Sequence, residues 1–355
     1  MKTNHRKNII LLIIIYFLIV LTILGLVIVL TKKNSNKSIE YSESKLLTNQ
    51  KHNEDILKLP LATKQLNVKE EENPTILFGS DYQGDYRYES FNNLVTALKD
   101  KIKPNLFVMC GDYQVSKQEY YSLSEAGILE LSNIFYRNFN NIPLLFVQGN
   151  HDYRDTYGLA TTGLYQSNKY NIYVLNNEDY PNNQGELDNS EKIVENCAEE
   201  LEIQLQKLVD EKDKRPIFIA AHVPLHYSNR SNGDDNKYAK YIIDVLNDYG
   251  NKLDIVYLYG HNHSGKYDDY IGGSINYIEN GSTMLEGGSN QEIKIDFTYM
   301  NAGYVGYSNN TVSDNSTNQT SMSSITINSN SLSIQRYTRE GNYYFSPITI
   351  KLNNI

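Results

Sequence analysis

Short apolar runs recur through the middle of the chain, and each gives way at once to polar residues. They are Thr75–Ser80, Leu106–Cys110, Leu144–Val147, Pro216–Ala221 and Leu253–Tyr259. Continuous apolar runs of roughly four to eight residues read as strands buried on both faces. Between them the period changes to that of a helix. Phe91, Leu94, Val95 and Leu98 share one face of a helix predicted over Ser90–Lys101. A second helical stretch runs from about Lys117 to Phe139. Val194, Cys197, Leu201, Leu205 and Leu208 stripe a third, Glu191–Asp210. Tyr238, Tyr241, Ile242, Val245, Leu246 and Tyr249 do the same for Lys237–Tyr249. This alternation predicts βαβ units and a largely parallel sheet.

Two stretches break the rhythm. Residues 153–190 are rich in Tyr, Asn, Asp and Gly, with one strand candidate at Asn171–Leu175. They read as an insertion beside the site, where substrate selection would reside. From Ser274 onward the helical signal gives way to short alternating runs: Ile275–Ile278, Ile293–Phe297, Ile325–Ile327, Leu332–Tyr337 and Ile348–Leu352. Asn, Ser and Gly punctuate them, which predicts hairpins. Residues 283–355 are therefore expected to build a second sheet.

The N-terminus differs again. Ile9–Leu30 carries no charge and is long enough to cross about 30 Å of hydrocarbon as a helix. Lys2, Arg6 and Lys7 precede it, and Lys32, Lys33 and Lys37 follow. No small-residue cleavage site follows the run, so residues 1–33 read as an uncleaved, single-pass signal anchor in the lipid bilayer. The balanced basic flanks leave orientation nearly open. An anchor ahead of one large domain favours an extracytoplasmic position for that domain. Residues 34–73 are polar and read as a stalk, leaving 74–355 as the folded domain.

Composition narrows the field. At 355 residues and 40% hydrophobic the chain can bury a full core. A formal charge of −9, with no basic block outside the N-terminal flanks, argues against a nucleic-acid scaffold. The two cysteines, Cys110 and Cys197, do not make a disulfide framework and read as core residues.

The chemistry sits where the strands end. Asp81, Gly111-Asp112, Gly149-Asn150-His151-Asp152, His222 and Gly260-His261-Asn262-His263 each follow an apolar run. The chain has seven histidines, and four of them stand at these ends, a clustering that packing does not explain. Taken singly, each has a structural reading: Asp81 as a helix cap, Asp112 and Asn150 as turn residues, His222 as a core histidine. Taken together, D-x-Q, G-D, G-N-H-D, H and G-H-x-H in that order resemble the calcineurin-like metallophosphoesterase superfamily, over roughly Thr75 to Ser282.

The resemblance implies an α/β fold, a four-layer α/β/β/α sandwich of two mixed sheets, preceded here by the transmembrane helix. It implies two divalent metal ions, Mn, Fe, Zn or Mg, with Mn favoured. Asp81, Gln83 and His263 would serve the first ion. Asp112 would bridge the pair, and Asn150, His222 and His261 would serve the second. It also implies hydrolysis of a phosphate ester, by a phosphodiesterase or phosphatase reaction, through a metal-bridging hydroxide. His151 would be the proton donor, its ring held by Asp152. The substrate class is a phosphorylated small molecule or other phosphoester. One position departs from the family pattern, which has His where this chain has Gln83. A neutral amide oxygen is a harder, weaker ligand than imidazole and favours Mn or Mg. The departure also motivates an alternative: a catalytically weak module that keeps the fold and binds metal or phosphate. Tyr82, Arg87, Tyr153 and His226 lie next to these motifs and are candidate substrate contacts.

Overall fold

The structure, a computed structural model, describes residues 54–69, 71–82, 88–113, 124–140, 142–152, 156–176, 191–227, 236–262, 276–305 and 320–353. The apolar segment Ile9–Leu30 lies outside them. Among the described residues no helix is long and apolar enough to cross a membrane.

The five apolar runs are strands: β1 (Thr75–Gly79), β2 (Leu106–Cys110), β3 (Leu144–Val147), β6 (Ile217–Ala221) and β7 (Ile255–Tyr259). The remaining strands are β4 (Gly163–Gln166), β5 (Asn171–Leu175), β8 (Tyr277–Ile278), β9 (Thr283–Leu285), β10 (Glu292–Lys294), β11 (Thr298–Asn301), β12 (Ser321–Ile327), β13 (Ser331–Thr338) and β14 (Ile348–Lys351). Among the described residues four helices alternate with them: α1 (Tyr88–Leu98), α2 (Ser124–Tyr136), α3 (Glu191–Asp210) and α4 (Ala239–Gly250).

Among the described residues these form two six-stranded mixed sheets, in the orders β14-β13-β12-β1-β2-β3 and β4-β5-β6-β7-β11-β8, and a separate two-stranded pair, β10-β9. β1, β2 and β3 run parallel, as do β5, β6, β7 and β11. Side chains alternate between faces along each strand, so each sheet supplies two cores. Phe78, Val108 and Val147 meet Ile172, Phe218 and Val256 between the sheets. Leu77 and Phe107 turn the other way, onto Leu94 of α1 and Phe135 of α2. Phe107 and Phe135 stack 4.2 Å apart. On the far side, Ile219 and Tyr257 pack under Leu205 of α3 and Leu246 of α4. Helices thus cover the outer face of each sheet, and the core between the sheets holds them together.

Three expectations differ from what the fold contains. The C-terminal strands do not build the second sheet by themselves: β9 and β10 pair only with each other, and the rest are shared out. β12 pairs antiparallel with β1, Thr75 opposite Thr326, so β12–β14 complete the first sheet, while β11 joins the second. Hairpin periodicity states that strands pair but not with whom. Second, the described part of 153–190 is scaffold. β5 is buried along its whole length and pairs in parallel with β6, and β4 closes a hairpin onto it. Tyr173 and Tyr170 fill core positions that the composition had assigned to a binding loop.

Third, part of the expected stalk belongs to the domain. Residues Asp55–Ile355 form one compact unit. The Ala62 amide donates to the Leu144 carbonyl at 2.7 Å, and the Leu144 amide to the Pro60 carbonyl at 3.0 Å. The Leu66 amide donates to the Gln166 carbonyl, and Gln166 returns a bond to Lys64. Leu61 therefore lies along β3 and Gln65 along β4, the edge strands of the two sheets. Ile56 and Leu66 are buried beneath this strap. Covering two open edges satisfies backbone groups that would otherwise invite foreign strands.

Candidate metal centre

All five site-bearing strands end on one side of the sandwich, so their following residues converge. Asp81 and Asp112 follow β1 and β2, Asn150 and His151 follow β3, His222 follows β6 and His261 follows β7. Asp81, Asp112 and His261 adopt left-handed backbone angles, with φ of 58°, 64° and 68°. For residues with a Cβ this costs roughly 1 kcal/mol each, and such strain gathers at functional sites. The glycines of the motifs make the turns close enough. A Cβ on Gly111 would collide with Nδ1 of His222, and one on Gly149 with Oδ1 of Asp112.

Four ligand-type atoms meet. His222 Nε2 lies 3.0 Å from Asn150 Oδ1 and 3.5 Å from Asp112 Oδ1. His261 Nδ1 lies 3.2 Å from Asn150 Oδ1 and 3.3 Å from His222 Nε2. The tautomer of His222 follows from its other nitrogen. Nδ1 is 2.6 Å from the Cys110 carbonyl, which only accepts, so Nδ1 carries a proton and, in the neutral ring, Nε2 presents its lone pair. Three lone-pair-bearing atoms, Nε2 and two oxygens, thus crowd one point. A second cluster overlaps it: ligand atoms of Asp81, Asp112 and His222 all lie within 4.8 Å of one another, and all three residues are buried.

Such a set fits a divalent cation on chemical grounds. Oxygen and imidazole donors suit Mn, Mg, Fe or Zn. Buried carboxylates are costly unless a cation compensates them. The electrostatics show that cost. Burial and the charge on Asp112 push Asp152 up to about 7. Burial works in the same direction on Asp112, but the positive charge of the adjoining His222 and His151 rings in their protonated form outweighs it and holds Asp112 below the usual carboxylate range.

Asp152 is not where the sequence reading put it. Its carboxylate does not hold the His151 ring. Oδ2 accepts from the amides of Asp112 at 2.8 Å and Gly149 at 3.0 Å. Oδ1 accepts from the Tyr113 amide at 3.0 Å and the Ser124 hydroxyl at 2.8 Å. Asp152 is the hub that clamps the β2 and β3 loops against the start of α2. A side chain flanked by turn amides satisfies them before it reaches a neighbouring ring. Tyr113 works beside it. Its hydroxyl lies 2.8 Å from the Met109 carbonyl and 2.6 Å from that of Val147, tying the ends of β2 and β3. Neither Tyr113 nor Ser124 was singled out from the sequence. Their only signals are adjacency to Asp112 and a hydroxyl at a helix start.

His151 stands half-buried beside this cluster, and its amide donates to Asp112 Oδ1 at 3.0 Å. The Asp81 carboxylate accepts from the Ser80 hydroxyl and, at 2.9 Å, from the His261 amide. Tyr82 is corrected. It is fully buried, packs edge-on against Phe91 and donates to Glu130, so it is a core residue and no phosphate contact. His226 is buried too, with Nδ1 2.6 Å from the Tyr299 hydroxyl, which places it in the scaffold and away from the substrate surface. Gln83, Arg87, Tyr153 and His263 lie outside the described residues, and with them half of the expected first metal position.

Strand ends of two sheets converging on carboxylate, amide and imidazole donors define a metal-binding α/β protein. The chain belongs to the calcineurin-like phosphoesterase family, whose model matches residues 74–265. No curated protein matches the chain. Among solved structures, GAP50, the anchor in the inner membrane complex of Plasmodium, is 16% identical, over 80% of this chain and 89% of that one, with a TM-score of 0.47. Purple acid phosphatase PPD1 from yellow lupin seeds is 13% identical, over 79% of this chain and 54% of that one, with a TM-score of 0.47. Vps29 from Chaetomium thermophilum is 12% identical, over 79% and 99%, with a TM-score of 0.36.

Proposed function

We propose that the protein is a metal-dependent phosphoesterase that hydrolyses a phosphate mono- or diester at the strand-end cluster. The observation that carries this is the convergence of four donor atoms: Asn150 Oδ1, His222 Nε2 and His261 Nδ1 lie 3.0–3.3 Å from one another, and Asp112 Oδ1 lies 3.5 Å from His222 Nε2. Divalent ions held there would neutralise the phosphoryl oxygens and lower the pKa of a water. Asp81 and Asp112 would supply the negative charge such ions require. Asn150, His222 and His261 would help to hold one ion, and Gln83 and His263 would help to hold the other. Mn suits the oxygen-rich set that Gln83 makes.

The chain's own residues then do three things. Asp152 and Tyr113 fix the loops, so that the ligand atoms need no rearrangement when the ester arrives; preorganisation of this kind lowers the barrier directly. The His222 Nδ1–H, spent on the Cys110 carbonyl, turns Nε2 toward the cluster. His151, beside Asp112, gives an imidazole proton to the leaving oxygen as general acid. Ile9–Leu30 anchors the domain in the bilayer as a single pass, with the domain outside the cytoplasm. Protease shaving of intact cells tests that placement, and protection until lysis overturns it.

The primary test is hydrolysis of a generic phosphodiester and a generic phosphomonoester by the purified chain in added Mn, with Asp112→Asn alongside. Turnover lost in the variant supports the reading, and the preferred ester gives the substrate class. A folded, metal-loaded protein that turns over neither ester would favour the module that binds without hydrolysing.

A further inference from the structure

The residues that follow His222 are tied to a block of tyrosines the reaction does not otherwise use. Tyr257 and Tyr259 of β7 and Tyr299 of β11 are all fully buried. Tyr299 stacks on Tyr257 at 5.6 Å and on Tyr259 at 4.9 Å, each with 17° between the ring planes. The Tyr257 hydroxyl donates to the Val223 carbonyl at 2.9 Å. The Tyr299 hydroxyl accepts the Leu225 amide at 2.9 Å and lies 2.6 Å from His226 Nδ1. Having accepted from Leu225, that hydroxyl has its own proton to give to Nδ1. The His226 ring stands edge-on to Tyr259 at 5.2 Å and to Tyr299 at 5.6 Å. Val223, Leu225 and His226, three of the four residues after His222, are thereby fastened to the sheet.

The same block reaches the other imidazole loop. Tyr259 is followed directly by Gly260 and His261, and the Gly260 amide donates to the His222 carbonyl at 3.0 Å. The side-chain amide of Asn262 lies 3.5 Å from His226 Nε2. His226 and Tyr299 therefore stand between two loops whose imidazoles must keep a fixed separation.

We propose that Tyr299 and His226 form a positioning pair that sets the spacing of His222 and His261 and so the affinity of the imidazole side of the centre for a divalent ion. This rests on the reading of the cluster as a metal centre. Partners outside the ligand shell act by orienting the ligands, and their loss weakens metal binding by about 10–100-fold. A general role in stability has a different signature: it lowers the melting temperature and leaves the affinity of the folded protein unchanged.

The experiment is a titration of the metal-free, full-length chain with Mn, read by calorimetry and by the electron paramagnetic resonance of free Mn. In Tyr299→Phe the rings still stack, but the hydroxyl is gone. The expected result is one Mn weakened by about 10–100-fold and the other held as in the wild type, with activity recovered at high Mn and KM unchanged. His226→Asn, whose side-chain oxygen can take the place of Nδ1, is expected to keep wild-type affinity, and His226→Leu to match Tyr299→Phe. These two report on the pair if the phenylalanine variant fails to fold. Wild-type affinity for both ions in Tyr299→Phe, or in His226→Leu, overturns the pair. A wild-type chain that binds no Mn overturns the metal reading itself, and the pair with it.

Discussion

The two sheets meet at the site but hold their ligands by different means. The first sheet contributes Asp81, Asp112 and Asn150, two carboxylates and an amide, on loops clamped by hydrogen bonds. Asp152 alone ties three backbone amides and a hydroxyl. The second sheet contributes His222 and His261, on loops backed by stacked tyrosines and by His226. The difference follows from the ligands. Carboxylates that must be crowded and buried are best held by short, directional bonds that also stabilise their charge. Neutral imidazoles carry no such charge and can be set by packing, which fixes ring orientation over a larger surface.

Four variants probe this comparison. Asp112→Asn has the largest expected effect. It removes the shared charge, so turnover should fall by roughly 10³-fold or more, and metal analysis should find fewer ions per chain. His151→Gln should lower kcat by about 10²- to 10⁴-fold while both ions stay bound. Loss of an ion in that variant would mean that His151 belongs to the ligand set. Asp152→Ala attacks the clamp of the first sheet. It strands buried amides at about 1–3 kcal/mol, which should appear as a melting temperature lowered by several degrees together with weaker metal binding. An unchanged melting temperature would show that the clamp carries little. Tyr82→Phe should do least: about 1 kcal/mol for the lost bond to Glu130 and an unaltered kcat/KM. A clear fall in kcat/KM would return Tyr82 to the substrate surface.

The first of these variants follows from sequence and the third only from structure. Asp112, Asn150, His222 and His261 were legible because a buried strand leaves a strong periodic signal and a polar residue at its end interrupts that signal. The role of Asp152 was not legible. Adjacency to His151 suggested a ring partner, whereas the carboxylate turns toward amides of Asp112 and Tyr113, some forty positions earlier in the chain. Tyr82 misled in the same way. Its neighbour Asp81 faces the centre, so consecutive positions face opposite ways and Tyr82 goes to the core.

Local order was written in the chain itself: which runs become strands, which stripes become helices, and which residues stand at the strand ends, because hydrophobic period and turn chemistry act over a few residues. Pairing was decided elsewhere. That β12 lies beside β1, that β5 is a central strand, and that residues 55–69 clasp both sheet edges depend on contacts between segments far apart in sequence. The candidate metal centre shares that dependence. Each ligand sits in its place by local rules, but the 3.0–3.5 Å separations among Asp112, Asn150, His222 and His261 exist only because two sheets pack face to face on a common core.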